Sequence, residues 1–311
     1  MKQLTRRQFI QSSAIAIGTL RVCSRAAGSE SLPIGFSTLG CPGWNWLKIL
    51  DFAQHNSFAA VELRGLQGTM DLPARPEFSA ANIAESRKQV AARGLRISCV
   101  SSSANMHDTD PQKHAEQMAD ARRFIDLAHA LGSPYVRVFG NKIVGPRDQA
   151  LEHIANSLRE LGDYAGPRDV TVVIESHGDF TDSPTLRTIL EQANSSHVAL
   201  LWDAHHTFVS GKEDPAFTVA QLGKYIRHTH LKDSRKEGDD VHYVLTGRGE
   251  VPVRRQIEVL VDHGYRGVYS FEWEKVWHPE IEEPEIAFPD FARVATQYLK
   301  DARSKQKTHT G

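Results

Sequence analysis

The sequence predicts a single (β/α)8 barrel, and three observations predict it. Eight short runs rich in β-branched and aromatic residues recur, at 33–38, 59–63, 96–101, 135–139, 171–174, 198–202, 226–231 and 267–271. They read as continuous apolar stretches with amphipathic helical segments between them, which is the pattern of parallel strands buried on both faces. No glycine-rich phosphate fingerprint follows the first run, where the chain reads Phe36-Ser37-Thr38-Leu39-Gly40-Cys41-Pro42-Gly43, so a doubly wound sheet lacks its usual signal. Side chains inside such a barrel are expected to stack in apolar layers.

The helices are marked by their ends. Ser79 is expected to start the helix before the third strand, which stops at Gly94. Asp110 with Pro111 opens a long helix whose apolar stripe is Met118, Phe124, Ile125, Leu127, Ala128 and Leu131, and Gly132 closes it. Ser183 with Pro184 opens the helix after strand five, and Gly223 ends the one before strand seven. Gly247-Arg248-Gly249 reads as a loop, the stretch 274–285 is longer than a strand-to-helix connection requires, and residues 303–311 form a polar tail.

Composition narrows the function. The 311 residues are 40% hydrophobic and 24% charged, which excludes a disordered chain. Lys and Arg number 37 against 38 Asp and Glu, so no global basic field exists to hold nucleic acid or an acidic membrane. Residues 1–27 read as an export signal of the twin-arginine type: Leu4-Thr5-Arg6-Arg7-Gln8-Phe9-Ile10, a mild apolar stretch at 14–20, then the small pair Ala26 and Ala27. That places the mature protein in the periplasm. Cys23 sits in a poor lipidation context after Arg21 and Val22, and no other run reaches the roughly 18–20 apolar residues of a membrane span. Cys41 and Cys99 lie in separate strand regions without a CxxC context and read as buried thiols, with one disulfide as the alternative.

In a (β/α)8 barrel the site forms at the carboxyl ends of the strands, so the first polar residue after each apolar run matters most. The last four strands end in Glu175, Asp203, His230 and Glu272. Three carboxylates on one rim repel each other unless a cation compensates them, which points to one divalent metal. Oxygen-rich coordination with a single nitrogen suits Mn, Mg or Co better than Zn, which stays open.

The motifs Glu62-Leu63-Arg64, Ile174-Glu175, Trp202-Asp203-Ala204-His205-His206, His228-Thr229-His230-Leu231-Lys232-Asp233 and Phe271-Glu272-Trp273-Glu274 resemble the sugar phosphate isomerase/epimerase family with the xylose isomerase-like barrel. The resemblance covers nearly all of residues 32–302. It implies metal ligands at Glu175, Asp203, His230 and Glu272, catalytic bases at Glu175 and Glu272, and a substrate-contacting histidine at His206. Glu62, Arg248, Lys275 and Trp273 are further substrate-binding candidates, and His278 shares the long loop with Lys275. Trp44, Trp46 and Trp277 could add flat surfaces for a sugar ring, while His205 and His228 read as scaffold. An apurinic-site endonuclease is among the relatives, and Asp240-Val241-His242 resembles its extra ligands, which leaves a second metal open. The chain offers Glu62 with Arg64 and Phe139-Gly140-Asn141 where that enzyme places histidines, so the nuclease reading is set aside.

The implied activity is a metal-dependent isomerase or epimerase of carbohydrates that abstracts a proton next to a carbonyl and passes through an enediolate. A lyase or hydratase acting on a 3-keto glycoside is the alternative enzyme, and a sugar-binding barrel without turnover is the non-enzymatic alternative. The partner is a small carbohydrate, not nucleic acid, and a homo-oligomer is left open.

Overall fold

Apolar runs that cannot leave either face in water pair side by side until the sheet closes on itself. The computed structural model describes residues 32–238 and 240–309. In it, eight parallel strands form a closed barrel: β1 (Ile34–Ser37), β2 (Ala60–Leu63), β3 (Arg96–Asn105), β4 (Tyr135–Phe139), β5 (Thr171–Glu175), β6 (Val198–Asp203), β7 (Ile226–Leu231) and β10 (Tyr269–Phe271). Between β7 and β10 an antiparallel hairpin, β8 (Asp233–Glu237) and β9 (Asp240–Val244), is inserted. The ring closes where β1 pairs with both β2 and β10, with Phe36 opposite Val61 on one side and Phe271 on the other. Around it run α1 (Trp46–His55), α2 (Ile83–Ala92), α3 (Pro111–Leu131), α4 (Arg147–Ala165), α5 (Ser183–Ala193), the short α6 (Ala204–Val209), α7 (Pro215–Leu222), α8 (Val253–Asp262) and α9 (Pro284–His309). No helix among the described residues is long and apolar enough to cross a membrane.

Where the structure departs from the sequence reading, local chemistry explains it. Ser79 does not start α2: its hydroxyl bonds back to the Pro76 carbonyl in a preceding 3-10 turn, and the helix begins at Ile83. Asp182, one residue before Ser183, caps α5 by accepting the Thr185 N–H. Asp110 caps α3, and Gly132 closes it at φ 73°. The stretch read as a polar tail continues α9 through His309. Cys41 and Cys99 are free and buried.

The largest departure is inside the ring. The extensive apolar core lies between the strands and the helices, where Phe288 of α9 stacks on Phe36 at 4.3 Å between ring centroids and Phe271 stacks on Phe291 at 4.5 Å. Among the described residues, the apolar cluster within the barrel is Cys99, Val173, Ala199 and Leu201, with Tyr135 packed against it. The layers above it are polar: Glu62, Ser101, Arg137, Glu175, His228, His230 and Ser270 are all buried. An interior of stacked apolar layers is therefore not what this barrel has.

Candidate functional site

The four polar strand ends converge. His230 Nδ1 lies 3.2 Å from Glu272 Oε1, 3.6 Å from Glu175 Oε1 and 3.9 Å from Asp203 Oδ2. Ligand-type atoms of these four residues all lie within 4.8 Å of one another, and all four side chains are buried. Side-chain alternation along adjacent parallel strands brings them together, since Asp203 sits opposite His230 and Ser270 precedes Glu272 on the next strand. Ser176 fixes the ends of β5 and β6: its hydroxyl accepts the Asp203 N–H at 2.8 Å and donates to the Asp203 carbonyl at 3.1 Å. Asp203 also caps α6, with Oδ1 accepting the His206 N–H at 2.9 Å, which leaves Oδ2 turned to the cluster.

Behind the cluster, Glu62 orients the imidazole. Its fully buried carboxylate accepts from Ser101 at 2.9 Å, from Ser270 at 3.0 Å, and from the Nε2 atoms of His228 at 2.8 Å and His230 at 2.9 Å. Burial alone would raise the Glu62 carboxyl, but His230 and His228 outweigh it and hold it well below the ordinary carboxylate range. An ionised Glu62 can only accept, so in a neutral His230 ring the proton sits on Nε2 and the Nδ1 lone pair faces the three carboxylates. That Nδ1 is buried and has no hydrogen-bond partner. A buried, orphaned imidazole nitrogen ringed by three carboxylates is the donor set of a divalent cation, so the residues present fit a metal.

Cations of the chain brace the same carboxylates. Lys232, wholly buried, donates to Asp203 Oδ2 at 2.7 Å, to Glu274 Oε1 at 2.7 Å and to Glu272 Oε2. Arg137 Nη1 approaches Glu175 Oε2 at 3.2 Å. Burial pushes Glu272 up, yet His230 and Lys232 pull it well down; Asp203, opposed by burial in the same way, is held at about 2 by His206, Lys232 and His230. Glu274 goes the other way, raised by burial and by Glu272 despite Lys232. His230 itself, which burial would deprotonate, is raised well above the usual imidazole range by Glu272, Glu62 and Glu175.

The remaining candidates separate into rim, support and surface. His206 lies at the rim: Nδ1 contacts the Ser176 carbonyl at 3.1 Å, and the ring packs edge-on against His177 at 5.0 Å. Glu62, read as a substrate contact, lies under the cluster with its carboxylate used four times over, so it supports His230. Trp273 is buried, stacked on Phe271 at 5.3 Å, and donates Nε1–H to the Glu282 carbonyl, so its face is covered by core. Trp44 and Trp46 are also core, and only Trp277 of these tryptophans is exposed. Lys275 donates to the Pro279 and Ile281 carbonyls and pairs with Glu283, which folds the long loop after β10 onto itself. Arg248 is exposed and 3.5 Å from Asp290. Asp240 and His242 sit on the hairpin, with His242 facing Glu237 at 3.5 Å, and do not join the cluster. His205 bonds Ser234, and the ring of His278 rests edge-on against Tyr243 at 4.9 Å.

The sequence motifs contain Lys232, Glu274 and Arg64 without a role being assigned to them, and Arg137 was passed over. All four obey the two-residue period of a strand: Arg64 follows Glu62 by two, Lys232 follows His230 by two, Glu274 follows Glu272 by two, and Arg137 is two before Phe139 within an otherwise apolar run. A charged residue inside such a run was the available signal.

Fold and site together define a (β/α)8 barrel with a carboxylate-rich, histidine-containing cluster at its C-terminal rim. The model of the xylose isomerase-like TIM barrel family matches residues 50–291, and the chain belongs to that family. An inosose dehydratase of Clostridium botulinum (strain Alaska E43 / Type E3) is 24% identical, with 89% of this chain and 99% of that protein covered. A solved L-ribulose 3-epimerase superposes with a TM-score of 0.72 at 17% identity, covering 89% of this chain and 98% of its own. The IOLI protein, solved with a zinc atom, gives 0.71 at 18% identity, covering 88% and 99%. At these identities the structural likenesses establish the fold.

Proposed function

We propose that the protein is a metal-dependent enzyme that removes the proton next to a carbonyl of a carbohydrate, with isomerisation or epimerisation as the outcome. One observation carries the reading: two glutamates, Glu175 and Glu272, flank the orphaned His230 Nδ1 from different strands. Glu175, Asp203, His230 and Glu272 would hold the ion, with Mn, Mg or Co favoured by the oxygen-rich set and Zn also compatible. When bound, a dication supplies Lewis acidity that makes the C–H between a hydroxyl and a carbonyl labile. Glu175 and Glu272 then act as the paired base and acid on the substrate carbon. Lys232 keeps Glu272 and Asp203 turned inward, and His206 presents its ring to a substrate oxygen at the rim.

A second reading, elimination of a β-oxygen substituent from the same deprotonated ketone, is favoured by the full-length similarity to an inosose dehydratase. It is also favoured by Glu274, a carboxyl beside the cluster that burial and Glu272 raise despite Lys232, which makes it the candidate proton donor to a departing oxygen. In either case the metal-reconstituted protein should exchange solvent deuterium into a sugar ketone or 3-keto glycoside, and the Glu175→Gln, Glu272→Gln double variant should not. Undiminished exchange in that variant contradicts the mechanism; an unsaturated product selects elimination. A non-catalytic sugar-binding barrel would bind ligand without exchange.

We also propose delivery to the periplasm on the strength of Arg6-Arg7, which lies outside the described residues. Lys substitution of both should leave the protein cytoplasmic, and unchanged delivery contradicts the assignment.

A further inference from the structure

The carboxyl ends of β3, β4 and β5 are joined by a chain of side-chain hydrogen bonds that finishes on an imidazole. Asn105 is the last residue of β3, and Asn141 and His177 follow the last residues of β4 and β5 by two. Asn105 Nδ2 donates to the Ser103 carbonyl at 3.0 Å, which can only accept, so Asn105 Oδ1 is left to receive Asn141 Nδ2 at 2.8 Å. Asn141 Oδ1 is then the atom facing His177 Nδ1 at 3.0 Å, and the ring must donate from Nδ1. The relay is anchored along its length. The Asn105 N–H donates to Gln117 Oε1 at 2.8 Å, and the Asn141 carbonyl accepts the Asp179 N–H at 2.9 Å. Gly178, at φ 63°, permits that approach, because a Cβ there would stand 2.1 Å from the Asn141 carbonyl oxygen.

His206 is set in the same tautomer by a different acceptor. Its Nδ1 faces the Ser176 carbonyl at 3.1 Å, and that oxygen can only accept. The two rings meet edge to face at 5.0 Å between centroids, and Phe139 packs on His177 at 4.7 Å. The pair adjoins the cluster, since His206 Nδ1 is 3.4 Å from Asp203 Oδ2. Both rings are half-buried, and among the described residues neither Nε2 has a hydrogen-bond partner. With Nδ1 protonated, a neutral imidazole carries its lone pair on Nε2, so the two rings offer neighbouring acceptors. A hydroxyl is the donor that a carbohydrate brings to such a pair. An ionised carboxylate, which only accepts, finds no partner in it.

Resting on the function proposed above, we infer that His177 is a second substrate-binding histidine, which together with His206 accepts hydrogen bonds from hydroxyl groups of a neutral polyhydroxy ketone. Asn141 and Asn105 are positioning residues that hold its tautomer. The cluster takes the carbonyl end of the substrate, and the histidine pair reads hydroxyls further along it.

The test is nitrogen-15 NMR of the magnesium-loaded, histidine-labelled protein at about pH 8, above the ordinary imidazole range. It is titrated with D-fructose and with pyruvate, a ketone that carries no hydroxyl. Before ligand, His177 should show a protonated Nδ1 and an unprotonated Nε2. D-Fructose should move the Nε2 resonances of His177 and His206 upfield, as an accepted hydrogen bond does, and pyruvate should not. Asn141→Gly keeps the positive φ of 66° without steric cost and removes the amide, so His177 should relax to a mixture of tautomers. D-Fructose should bind that variant and His177→Phe about three- to tenfold more weakly, the effect of one hydrogen bond, with magnesium stoichiometry unchanged. His177→Gln, which keeps an acceptor, should lose less. An Nε2-protonated His177 in the parent, no response of its Nε2 to D-fructose, an equal response to pyruvate, or unweakened binding in His177→Phe would each overturn the inference. The two readings fail separately: metal-dependent exchange whose KM is unchanged in His177→Phe leaves the proposed function standing without this contact. An Nε2 response to D-fructose in a protein that exchanges no deuterium leaves only the binding pair.

Discussion

The two sides of the same eight strands are built to different rules. Outward, toward the helices, the strands bury Phe36, Val61, Val136, Ile174, Leu200 and Phe271 in a continuous apolar layer. Inward, above the small cluster of Cys99, Val173, Ala199 and Leu201, they bury a carboxylate bonded to two imidazoles, a guanidinium, a lysine and three further carboxylates. Apolar burial stabilises at roughly 25 cal/mol per Å², whereas buried charges must first overcome desolvation. Stability therefore resides mainly outside the ring and chemistry inside it, and each can be perturbed with limited effect on the other.

The largest effect is expected on the outer side. Phe288→Ala removes a ring that is fully buried and packs on Phe36 and Phe271, and should cost about 3–5 kcal/mol in urea unfolding while the folded fraction keeps its metal affinity. A loss below about 1 kcal/mol would break the comparison at its apolar half.

On the inner side, Glu62→Gln leaves the volume and removes the charge that sets the His230 tautomer. Metal affinity should fall about 10–100-fold, as for other partners of a ligating histidine, with a smaller loss of stability than in Phe288→Ala. Unaltered affinity would mean that Glu62 does not orient the ligand.

A pH titration sharpens the same point. Without an ion, His230 is raised well above its ordinary pKa because Glu272, Glu62 and Glu175 outweigh burial, so an incoming cation must displace its proton. Apparent metal affinity should therefore rise with pH through the neutral range, by up to about tenfold per unit while one proton is displaced, and fall as the pH drops. Affinity independent of pH would contradict the ligand assignment.

The smallest effect belongs to the exposed rim. Arg248→Gln breaks only a 3.5 Å contact with Asp290 from a side chain that is 61% exposed, and its unfolding free energy should stay within about 0.5 kcal/mol of the parent.

Legibility in the sequence follows the same division. The outward layer announces itself as apolar runs, so all eight barrel strands could be located from residues alone, and Glu175, Asp203, His230 and Glu272 stand out as polar residues at four of their carboxyl ends. The hairpin of β8 and β9 was hidden because Asp233–Glu237 is almost wholly polar and pairs only with its own return strand. Trp273 and Lys275 looked like substrate contacts because residue type says nothing about which way a loop turns. The Glu282 carbonyl and the Pro279 and Ile281 carbonyls decide that here. Glu62, Arg137 and Lys232 needed a different question, namely which charged residues share the inward parity of a strand. Asked of β2, of β4 and of the residue that follows β7, it finds all three.

The central claim is that the polar interior is arranged to place one divalent cation among Glu175, Asp203, His230 and Glu272. Elemental analysis of metal-reconstituted protein after exhaustive dialysis tests it directly, with Asp203→Ala alongside and circular dichroism as the check on folding. One ion per chain in the parent and a strong loss in Asp203→Ala, with the barrel intact in both, is the expected result. No stoichiometric ion in the parent, or equal occupancy in the variant, would contradict the account.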